Sequence, residues 1–115
     1  MSISSESAVE KLSEWKTKSP PLLLSINVGD VFLVSFCEVA SVDAVTLHLT
    51  LRGGKSKLLL TIHNASFEQS VMPIPVEGKP TDFERLAIKF RRGGSCSLQE
   101  MPDLESWPEV ILDEP

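Results

Sequence analysis

The chain has 115 residues, 42% of them hydrophobic, two cysteines and a formal net charge of −5. That length and apolar content suit one domain with its own core, with no need of a metal or disulfide staple and no room for a second domain. No apolar run approaches the ~20 residues of a membrane span, and the Ser- and Glu-bearing start lacks the pattern of a secretory leader, so the expectation is a cytoplasmic protein without membrane contact.

Ser7-Ala8-Val9-Glu10 matches a capping box, in which the Ser hydroxyl and the Glu carboxylate each satisfy a backbone N–H at a helix start. Ala8, Val9, Leu12 and Trp15 then recur at helical spacing, and Pro20-Pro21 stops the run, predicting an amphipathic helix over about 7–18. So short a helix docks rather than standing alone. From Leu22 the period changes to two. Leu22 to Val28 and Val31 to Val39 flank Gly29-Asp30, a type II′ hairpin signal that sets Ile26 opposite Leu33 and Leu24 opposite Ser35. The second strand is apolar on both faces, so it is expected to be central and covered twice, with Leu12 and Trp15 of the helix packing on Phe32, Val34 and Phe36.

Val45, Leu47, Leu49 and Leu51, followed after Gly53-Gly54 by Leu58, Leu60 and Ile62, predict a second hairpin with Leu49 opposite Leu58, Leu47 opposite Leu60 and Val45 opposite Ile62. His48 and His63 fall on its outer face, too far apart along the ladder to share an ion. Residues 64–81 carry Pro73, Pro75, Gly78 and Pro80 and read as an edge strand or ordered loop. Phe83 to Phe90 alternates again, Gly93-Gly94 turns the chain, and a bulge that opposes Ile88 to Leu98 is expected in the hairpin with Ser95 to Met101. The fold predicted is mainly β: a small antiparallel barrel or two-layer sandwich of about 5–7 strands with one N-terminal amphipathic helix. Residues 1–102 form this single domain, with strands from 22 to 101, and residues 103–115 an acidic, partly docked tail.

The charge is unevenly spread. Asp103, Glu105, Glu109, Asp113 and Glu114 stand in the tail with no Lys or Arg, whereas residues 45–94 hold eight bases against four acids. Cys37 and Cys96 have no second Cys or His at zinc-ligand spacing and read as buried thiols, so no metal and no cofactor is expected. Nucleophile turns and phosphate-binding glycine patterns are missing, and Gly93-Gly94-Ser95-Cys96 reads as hairpin punctuation. Two basic hairpin tips remain, Arg52 with Lys55 and Lys57, and Lys89 with Arg91 and Arg92. If they emerge together they form a cationic rim for an anion or nucleic acid, although exposed aromatics for base stacking are not evident. Trp107, Val110, Ile111 and Leu112 mark the tail as a partner contact. The functional expectation is a non-enzymatic interaction module that binds a protein partner or itself through an edge strand or the tail. Nucleic-acid binding through the basic tips is the alternative, and an enzyme without a recognisable motif the third.

Overall fold

The computed structural model describes residues 1–51 and 56–102. In chain order they form β1 (Ser2–Ile3), α1 (Ser5–Lys18), β2 (Leu22–Val28), β3 (Val31–Val42), β4 (Thr46–Leu51), β5 (Lys57–Thr61), β6 (Ser66–Val76), β7 (Lys79–Lys89) and β8 (Ser95–Glu100). The mainly β architecture with an N-terminal helix is the one the alternation predicts. All eight strands belong to one sheet, ordered β1-β6-β7-β8-β2-β3-β4-β5, which is not closed into a barrel.

The sheet is nevertheless bent. Laid flat, the spacings from β6 to β5 in that order would put them about 29 Å apart. Residues 62–65 alone join these two strands, and the chain from Thr61 to Ser66 reaches at most about 18 Å. The ends of the sheet must therefore curl towards each other. The register puts Leu24, Leu98 and Leu86 on one face, with Ile26, Cys96 and Ile88 beside them and Leu47, Leu49 and Leu60 further along. These side chains, with Phe67 and Ile62, form a continuous buried cluster on the concave side.

Helix α1 fills that concavity. Its start lies one turn earlier than the capping box implies: Ser4 is the N-cap, and its Oγ accepts from the Ser7 N–H at 3.1 Å. Ser19, left-handed at φ 49, closes the other end. Ala8, Leu12 and Trp15 are buried in the cluster. The Trp15 Nε1–H donates to Glu100 Oε2 on β8 at 3.0 Å, and Lys11 pairs with Glu84 on β7. The expected docking on Phe32, Val34 and Phe36 is therefore overturned, because those residues occupy the opposite, convex parity of β3. Phe36 is buried there, but Phe32 and Val34 are exposed, so β3 is covered on one face along this stretch.

The two early hairpins keep the predicted register, with Ile26 opposite Leu33, Leu24 opposite Ser35, Leu47 opposite Leu60 and Leu49 opposite Leu58. Ile62 donates to the Val45 carbonyl at 2.7 Å as expected, yet Val45 is exposed because it belongs to the turn held by Asp43. The last hairpin departs from expectation. Ile88 faces Cys96, not Leu98, because the turn is Arg91-Arg92-Gly93, closed by Phe90 N–H to Gly94 O at 3.0 Å. Gly93 and Gly94 both have positive φ, but Gly93 is the last residue of the turn and Gly94 already pairs with Phe90.

Residues 66–89 form one long hairpin rather than a broken edge. Gln69 directs its N–H to Met1 O, away from β7, so the other odd-numbered residues of β6 point the same way. Pro73 and Pro75 thus lack an N–H that the β6–β7 ladder never uses, and Pro80 faces Pro75 at a position that is likewise not bonded across the pair. The prolines do not break this ladder because of where they fall in its alternation. Beyond Arg85 on β7, where pairing with β8 ends, the hairpin continues as a two-stranded ribbon to its Glu77-Gly78 turn.

Candidate functional site

The β4–β5 ladder has a defined hydrogen-bonding phase. Leu51 N–H donates to Ser56 O at 2.9 Å and Ile62 N–H to Val45 O at 2.7 Å. Pairs of that parity exchange the main-chain bonds, so Lys57, Leu59 and Thr61, opposite Thr50, His48 and Thr46, direct their N–H and C=O groups away from β4. Among the described residues no strand meets that side of β5.

The curl of the sheet brings this edge to the β7–β8 turn. Between them lies an open groove of about 490 Å³, with Val28, Leu59 and Phe90 as apolar walls and Arg91, Arg92 and His63 as polar ones. Both arginines are exposed, and among the described residues no carboxylate comes within ion-pair distance of either. Leu59, on the wall of the same groove, is 61% exposed. A second groove, lined by Asn27, Gly29, Lys89 and Ser95, flanks the same turn on its other side. The turn is therefore a cationic ridge between two depressions.

Of the predicted anion contacts, Lys89, Arg91 and Arg92 gather at this ridge. Lys57 stands at the start of β5, exposed and two residues from Leu59, and does not line the groove. Arg52 and Lys55 lie outside the described residues, as do Trp107, Val110, Ile111 and Leu112. Sequence reasoning missed Val28, Leu59, Phe90 and His63 as groove residues. The short link of residues 62–65 is the signal that would have found them, since it forces the end of β5 towards the start of β6.

Elsewhere the polar groups serve the fold. Burial pushes both thiols, Cys37 and Cys96, up to about 12, which keeps them protonated and poor nucleophiles. Backbone donors from Thr46 and Val45 lower the Asp43 carboxyl, which holds the β3–β4 turn. Among the described residues no group of three His, Cys, Asp or Glu side chains is placed to hold a metal ion, and no helix is long and apolar enough to cross a membrane. No protein-family model, curated protein or solved structure matches the chain.

Proposed function

We propose that the domain is a non-enzymatic interaction module that takes up an extended protein segment along the free edge of β5, beside the Arg91-Arg92 turn. The observation that carries this reading is the edge itself, where Lys57, Leu59 and Thr61 offer main-chain groups that β4 does not use. An added strand gains affinity from such groups and specificity from the side-chain pockets next to them. Lysine on an edge usually discourages pairing. Here it guards one end only, and Leu59 and Thr61 remain open. Self-association is the case in which the added strand comes from a second copy.

Selection of displayed peptides on the whole chain tests this, with Leu59→Pro as the counter-screen. Proline at 59 removes an N–H that points away from β4, so the hairpin keeps its ladder while the edge is blocked. Selected peptides should bind the native chain and lose the variant. An absence of enrichment, or peptides indifferent to the substitution, would overturn the reading.

A second reading, single-stranded nucleic acid, is favoured by one row of the convex face. Lys89, Ser95, Asn27 and Phe32 are successive cross-strand neighbours, and Phe32 is 68% exposed, so a stacking ring and a cation share that row. This corrects the expectation that no aromatic is available for stacking. Binding of an oligouridine that falls steeply with salt and is lost in Phe32→Ala would support it, and salt-independent binding would remove it.

A further inference from the structure

We propose that the β5 groove is occupied by the end of the chain's own acidic C-terminus, the apolar run at 110–112 and the acids beside it, which an outside partner must displace; this rests on the reading of β5 as a docking edge. Charge is the first argument. Five carboxylates without a single base follow Pro102, and Arg91 and Arg92 have no carboxylate partner among the described residues. Exposed pairs are weak and screened by salt, so charge steers and does not hold.

Side-chain chemistry supplies the second. Val110-Ile111-Leu112 is a short β-prone apolar run flanked by Glu109 and Asp113. The groove offers the complement, apolar walls at Val28, Leu59 and Phe90 next to two guanidinium groups. Laid along β5, alternate residues of the run would face Leu59 while the flanking acids reach towards the arginines.

Reach decides the third. The chain leaves the sheet at Met101, whose N–H donates to Pro21 O at 2.9 Å. Val28, on the groove wall, lies further along β2 from Pro21 by about 23 Å at the strand rise. From Pro102 to Val110 the chain spans at most about 29 Å, and to Trp107 at most about 18 Å. Trp107 therefore falls short of Val28, and Val110 arrives only when residues 103–109 are nearly extended, so within the tail the run at 110–112 is the part with the reach to dock.

The test uses the full chain with Glu114→Cys carrying a nitroxide; Cys37 and Cys96 are buried and do not compete for the label. Amide signals of Leu59, Thr61, Arg91 and Arg92 should broaden, and should recover when Ile111→Asp is added. Mixing labelled chains with separate isotope-enriched, unlabelled chains should leave those signals sharp. Broadening in the mixture would mean that the occupant comes from a second copy, and unbroadened groove signals in the single chain would mean that the tail lies elsewhere; either overturns the proposal. Peptides selected on the β5 edge should bind Ile111→Asp several-fold more tightly than the native chain, because their tethered competitor is gone. If edge peptides bind but both chains bind them equally, the tail proposal falls alone. If no edge peptide exists, the docking reading falls with it.

Discussion

Gly94 and Gly29 separate two costs that glycine substitutions usually mix. Both have positive φ, at +86 and +59, but a Cβ on Gly94 would meet Asn27 O and Val28 Cγ2 at 2.9 Å, whereas one on Gly29 meets nothing within 4 Å. Gly29→Ala should therefore cost only the backbone strain, about 1–2 kcal/mol. Gly94→Ala adds a collision with main chain of the neighbouring strand, and urea unfolding should show the larger loss by at least about 1 kcal/mol. Equal losses would mean that β2 yields without penalty. The two thiols give a pH-dependent counterpart. Burial holds each at about 12 in the fold, against the ordinary thiol value of 9.0. Between those values the unfolded chain has released thiol protons that the folded chain keeps, so unfolding sheds protons and stability falls as pH rises from about 9 towards 12. The urea midpoint should drop over that range and should drop less in Cys37→Ala and Cys96→Ala.

At the scale of single elements, α1 and the β6–β7 hairpin carry the sharpest expectations. Trp15 is 1% exposed, and its indole N–H has a carboxylate partner on β8. Trp15→Ala should destabilise by about 3–5 kcal/mol, and Trp15→Phe, which keeps a ring but frees Glu100, by clearly less in the same urea titration. In the hairpin, Ile74→Pro removes a donor from the parity that bonds across to Thr81, while Pro75→Ala restores one that the ladder does not use. Amide exchange should show the ribbon opening in the first variant and little change in the second. These elements also show what the sequence could disclose. Alternation located the early strands, and the equal spacing of leucines about Gly53-Gly54 set their register, because period and turn chemistry are local. The face on which α1 docks was misread, because Phe32, Val34 and Phe36 look like a second core when β3 is taken alone. Only the bend of the whole sheet decides which side is concave. The prolines of β6 were read as breakers for a local reason, because the phase of their ladder follows from the two-residue Glu77-Gly78 turn, which makes Val76 and Lys79 a bonded pair and leaves Pro75 and Pro80 outside the bonding.

Across the whole molecule, two runs of consecutive strands, β2 to β5 and β6 to β8, are joined by a single lateral pairing of β2 with β8. That pairing unites residues near the two ends of the domain, Leu24 with Leu98 among them, and the β1–β6 pairing and the Trp15–Glu100 hydrogen bond are similarly distant in sequence. Refolding should therefore fall in the millisecond-to-second range of sheet-rich domains and not in the microsecond range of helical ones, which stopped-flow fluorescence would decide. Leu59 and Arg91 line one groove across the bend, and no local pattern relates them; the short link of residues 62–65 discloses the groove only together with the strand order. The β2–β8 pairing also gives the chain a timetable. During synthesis β2 leaves the ribosome long before β8 exists, and at about 5–20 residues per second the interval between them is roughly 4–14 s. Throughout it the future centre of the sheet is an edge, with Leu22, Leu24 and Ile26 on its uncovered inner face. The nascent chain is thus exposed to a pairing hazard on a strand that the finished fold holds in mid-sheet, and a synthesis pause placed after β5 should raise the aggregated fraction more than one placed after β8.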